Sequence, residues 1–98
     1  MDIQNIIDAI KKYHPKQIIL FGSAVSGLLG QDSDVDIAVV KQTPKPYHER
    51  IMDVRRLVRS TTPVDFFVFT PEEIERHKEN NPFIHEIVTR GKIVYEVS

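Results

Sequence analysis

Four short runs of apolar, largely β-branched or aromatic residues recur along the chain, at 17–21, 34–40, 64–69 and 92–96. Between them lie segments whose apolar residues repeat at helical spacing. This alternation limits the fold more than any other feature. Strands of five to seven residues cannot bury themselves, so helices must cover the sheet they form. The first segment places Ile3, Ile6, Ile7, Ile10 and Tyr13 on one helical face, with Asp2 as N-cap and His14-Pro15 as the stop. Residues 24–29 read as a short helix and 30–33 as a loop. After Pro44 and Pro46, the residues Tyr47, Ile51, Val54 and Val58 mark one face of a helix. Its opposite face carries Glu49, Arg50, Arg55, Arg56 and Arg59. Thr70-Pro71-Glu72-Glu73 is a helix start: a threonine cap, a proline in the first turn and a glutamate three residues on. Asn81-Pro82 opens a further helix that Gly91 ends. The predicted order is α β α β α β α α β. With so few strands, parallel and mixed sheets are both open. The expectation adopted is an α/β (α+β) domain spanning residues 1–98, with helices packed on a small mixed sheet.

Ninety-eight residues support one core and leave little room for a second substrate-holding lobe. A net charge of −1 argues against a nucleic-acid binder that works by bulk charge. The absence of cysteine excludes disulfides and thiolate zinc sites. No apolar run is long enough to span a bilayer, and the first residues lack the basic-then-apolar pattern of a secretory signal. A cytoplasmic protein is the expectation. The four histidines show no metal-ligand spacing.

Three features carry chemistry. Gly22-Ser23 sits where a strand gives way to a helix. Glycine lets a ligand approach the backbone closely, and the N–H groups of a following helix suit a phosphate. Taken alone, the pair is also what a tight turn with a serine cap requires. Next come Asp34 and Asp36, at alternate positions opening a strand and so on one face of it. Their α-carbons lie roughly 6.5–7 Å apart in extended backbone, where two carboxylates repel each other unless a cation stands between them. A calcium loop of the helix–loop–helix kind is excluded, because Ile37 and Thr43 stand where its glycine and glutamate belong. Finally, Asp65 lies within the apolar run Val64-Asp65-Phe66-Phe67-Val68-Phe69, where a carboxylate needs a partner, a metal or an exposed position. A phosphate-suited turn and three acids at strand ends together describe phosphoryl-group chemistry with two divalent metals.

These residues resemble the minimal nucleotidyltransferases, relatives of the DNA polymerase β superfamily. That family's signature is Gly-Ser, ten residues and Asp-x-Asp, matched here by Gly22-Ser23, ten residues and Asp34-Val35-Asp36. Ile19-Leu20-Phe21 before it and Ser33 beside the acids also match. The resemblance implies a nucleotidyltransferase fold. It also implies ATP as substrate, two Mg²⁺ ions on Asp34, Asp36 and Asp65, and Gly22 and Ser23 on the outer phosphates. It further implies a HEPN-domain partner protein that supplies a tyrosine hydroxyl as acceptor, this chain being the antitoxin of the pair. Many relatives carry basic residues in a Gly-Ser-Arg-Ala-Arg-Gly pattern, where this chain has Gly22-Ser23-Ala24-Val25-Ser26-Gly27. Lys41, Lys45 and Arg50 are the candidates to compensate, and the arginines of the 47–59 segment are candidates to meet an acidic partner surface. A non-catalytic binding antitoxin on the same fold is the alternative. A phosphoreceiver domain fits less well, because it runs longer and alternates more regularly.

Overall fold

A computed structural model describes residues 3–22, 35–59 and 64–97 of the chain. They form α1 (Ile3–Lys11), β1 (Gln17–Phe21), β2 (Val35–Val40), α2 (Tyr47–Leu57), β3 (Val64–Phe69), α3 (Pro71–His77), α4 (Pro82–Arg90) and β4 (Lys92–Glu96). This is the predicted order, except that the helix expected at 24–29 and the Asp2 cap lie outside the described residues. The sheet is mixed, with strand order β3-β2-β1-β4. β1 runs antiparallel to both β2 and β4, while β2 and β3 are parallel.

The burial of each strand follows from its place in that order. β1 and β2 are central and covered on both faces, so Ile18 to Phe21 and Ile37 to Val40 are buried without a break. β3 is an edge strand and alternates, with Phe66 and Val68 buried and Asp65 exposed. One face of the sheet packs Ile18, Leu20, Ile37, Val39, Phe66 and Val68 against α1 and Val54 of α2. The other gathers Ile19, Phe21, Ala38 and Val40 under Ile87 of α4, with Ile74 of α3 beside them.

Helix ends obey local chemistry. α1 ends at Lys11 and a tighter turn carries the chain to His14, whose φ of 60° lies in the left-handed region, just before Pro15. The Thr70–Glu73 capping box is formed in full: Thr70 Oγ1 accepts from the Glu73 amide, and the Glu73 carboxylate accepts from the Thr70 amide. Asn81 caps α4 by accepting from the amides of Phe83 and Ile84. Gly91 ends α4 in extended rather than left-handed backbone (φ −69°, ψ 154°). A β-carbon there would collide with the Ile87 carbonyl and the Ile19 side chain, so its smallness is what the site uses. No helix among the described residues is long and apolar enough to cross a membrane.

One helix face departs from expectation. Arg50 is not on the solvent side of α2 but is buried, at 7% exposure. Its guanidinium donates to the carbonyls of Lys45 and Val68 and to both carboxylate oxygens of Glu73, the nearer at 2.7 Å. A planar group with five donors can satisfy all of these at once, which makes the burial tolerable.

Candidate active site

The topology brings Gly22, Asp36 and Asp65 to one end of the sheet. β1 finishes where β2 and β3 begin, because β1 is antiparallel to β2 and β2 is parallel to β3. Gly22 follows the last residue of β1, Asp36 pairs across from Phe21, and Asp36 stands directly beside Asp65 in the β2–β3 register. In-register neighbours on adjacent strands are roughly 4.8 Å apart, close enough for two carboxylates to share one cation. Both acids lie on the α3/α4 face, since Ala38 and Val40 alternate with Asp36 onto that cluster and Phe67 and Phe69 alternate with Asp65. Asp36 is half-buried and Asp65 is exposed.

Gly22 is built into this arrangement. Its φ is +71°, a conformation that residues with a side chain rarely hold. A β-carbon on it would overlap Asp36 Oδ2. The turn thus sets bare backbone directly against the acid. Ser23 and Asp34 lie outside the described residues. Among the described residues no group of three or more histidine, aspartate or glutamate side chains gathers, and the expected trio has only two members there. The donors present fit a divalent cation of the Mg²⁺ class. They are hard carboxylate oxygens in register on one face, with no sulfur or imidazole among them.

A wall of aromatic rings beside the acids escaped the sequence reading. Phe67, two residues along β3 from Asp65, packs against Phe83 of α4 with centroids 4.9 Å apart. Phe21 meets both, at 5.6 Å from Phe67 and 5.5 Å from Phe83. Alternation from Asp65 to Phe67 was the only local hint. Nothing near Phe83 announces that α4 folds back over this end.

The basic residues offered as substitutes for Ala24 and Ser26 do not reach the site. Lys41 follows β2 at the end opposite Asp36, about 17 Å away along the strand. There it lies over the Tyr13 ring and donates to the His14 carbonyl. Lys45 forms a 2.8 Å ion pair with Asp53, and Arg50 is occupied as described above. A groove of about 300 Å³ also lies at that far end, lined by Lys16, Ile19, Val40, Ile74 and Val88 among others. It contains none of the candidate site residues.

Residues 4–98 match the family described as polymerase beta, nucleotidyltransferase. The chain belongs to that family. Among solved structures, this nucleotidyltransferase-family chain is similar to a proposed nucleotidyltransferase from Sulfolobus solfataricus. The TM-score is 0.66 at 19% identity, over 97% of this chain and 83% of the other. It is also similar to a chain of a toxin-antitoxin structure with AMP-PNP, with a TM-score of 0.62 at 20% identity, over 100% of this chain and 76% of that one. At such identities the likeness speaks for the fold. No curated protein matches the chain.

Proposed function

We propose that this nucleotidyltransferase-family protein is a single catalytic domain that transfers AMP from ATP to a hydroxyl group in a Mg²⁺-dependent reaction. The acceptor is a tyrosine of a HEPN-type partner protein, and the chain serves as the antitoxin of the pair in the cytoplasm. The observation that carries the reading is the in-register pairing of Asp36 with Asp65 beside the left-handed Gly22. Opposed like charges do not favour a sheet for its own sake. They make sense as ligands. Asp34, Asp36 and Asp65 would hold Mg²⁺, which when bound supplies charge neutralisation on the phosphoryl oxygens. Gly22 and Ser23 would hold the outer phosphates through backbone and hydroxyl donors. The acceptor oxygen attacks the α-phosphorus, a new P–O bond forms, the bond to the bridging oxygen breaks and pyrophosphate leaves. Asp65, the exposed member of the pair, takes the hydroxyl proton. Catalysis here is mostly positioning.

Calorimetric titration of ATP with Mg²⁺ into wild type and Asp36→Asn tests this. Saturable, Mg²⁺-requiring binding that weakens at least ~10-fold in the variant is expected, about 1.4 kcal/mol or more. Equal binding by both proteins would sink the reading.

A second reading is favoured by a specific observation. The basic residues lost at Ala24 and Ser26 are not replaced by Lys41, Lys45 or Arg50, which are engaged at the far end. On that reading the chain neutralises its partner by contact alone. An Asp34→Asn/Asp36→Asn variant then still protects cells from the partner.

A further inference from the structure

We infer that Arg55 and Arg59 form a docking surface for an acidic stretch of the acceptor polypeptide, which reaches the site over the outer edge of β3. The inference rests on the transfer reaction proposed above. The arginines of this segment, alike in sequence, are made unlike by the fold. Arg50 is consumed by Glu73 in the interior, and Arg56 pairs with Asp53, which Lys45 also holds. Arg55 and Arg59 are exposed and have no carboxylate partner among the described residues.

Their position is set by direction. α2 connects two parallel strands, so it starts at the far end of the sheet and finishes at the end where β3 begins. Its last turn therefore brings Arg55 to the start of β3, and Arg59 follows two residues beyond the helix end. The Arg55 guanidinium lies 5.9 Å from the centroid of Phe66, the residue next to Asp65, which holds the cation in place. Phe66 faces the α1/α2 side, however, and Asp65 the other. A nucleotide seated on the acids thus has the sheet between itself and Arg55. A polypeptide does not. β3 is an edge strand, and no described strand pairs with its outer side. An extended segment crossing that edge covers the order of 10 Å in about three residues. The matching acceptor carries glutamate or aspartate about three or four residues from its reactive tyrosine. Arginine suits this task because its fork grips carboxylates in two places.

The test uses a fluorescent random glutamate–tyrosine copolymer, with a lysine–tyrosine copolymer and polyuridylate as controls. Binding is read by anisotropy without ATP. The glutamate copolymer should bind wild type at about 50 mM salt and be released at about 500 mM, where the Debye length falls to roughly 4 Å. Arg55→Glu/Arg59→Glu should weaken it at least ~10-fold, and Arg55→Gln/Arg59→Gln less, with ATP affinity unchanged. Circular dichroism melts establish that both variants fold, and the neutral pair serves alone if the reversed pair does not. Undiminished binding by the folded variant overturns the inference. So does binding of the lysine copolymer or polyuridylate as tight as that of the glutamate copolymer. A separate arm adds labelled ATP and Mg²⁺. Arginine-dependent binding without AMP transfer leaves the docking surface standing and removes the reaction, whereas transfer without arginine dependence does the reverse.

Discussion

Gly22 holds two requirements in one position. Its left-handed φ costs a residue with a β-carbon about 1–2 kcal/mol, and the missing side chain leaves room for Asp36 Oδ2. Gly22→Ala therefore does more than strain the backbone, because the new methyl group must push the Asp36 carboxylate away. The expected result is a stability loss of about 1–3 kcal/mol in thermal or denaturant unfolding. ATP affinity should fall by more than the melting shift accounts for, at least ~10-fold in calorimetry. An equal and small effect on both would mean that the close approach serves the turn alone. Arg50 gives the contrasting case of a charge whose neighbours bind it to the scaffold rather than to any ligand.

Elements are tied together by that same side chain. Arg50 on α2 reaches the β3 carbonyl of Val68 and the Glu73 carboxylate, which also completes the capping box of α3. One residue thus fastens a helix of the first layer, a strand, and the start of a helix on the other face. Hydrogen bonds from the guanidinium hold the Glu73 carboxyl below the usual range, outweighing the opposing effect of its partial burial. A carboxylate with a depressed folded pKa contributes stability that is present above its unfolded pKa, near 4.3, and is lost as pH falls through the lower folded value. The stability advantage of wild type over Glu73→Gln should therefore be full at neutral pH and should shrink below about pH 4. Urea melts across that range measure it. Arg50→Ala should cost about 2–3 kcal/mol, less than the 3–5 kcal/mol of a fully buried pair because Glu73 is partly wetted.

At the scale of the whole molecule, the sheet order decides which positions carry stability. Ile37 on central β2 is fully buried, whereas Ile93 on edge strand β4 is half exposed. Both are isoleucines in apolar runs. Ile37→Ala should cost about 2–5 kcal/mol, a large share of the 5–15 kcal/mol that holds a domain together. Ile93→Ala should stay within about 1 kcal/mol. Paired chemical denaturation curves compare them directly. The same order places the acids. Because β1 runs against β2 and β3, its final turn faces their first residues, and all three ends converge on one side.

Local chemistry in the sequence was enough to determine the described elements. Apolar periodicity marked the strands, Thr70 and Asn81 with their prolines marked two helix starts, and Gly22, Asp36 and Asp65 stood out as residues that such elements do not need. These are short-range signals, since a cap or a strand face is set within a few residues. The mixed sheet order, the inward turn of Arg50, the aromatic wall completed by Phe83 and the separation of Lys41 and Lys45 from the acids belong to the tertiary structure. Each depends on the direction in which distant segments run past one another. A buried arginine and an exposed one look the same along a helix until a strand carbonyl and a carboxylate, 18 and 23 residues away, come to meet one of them.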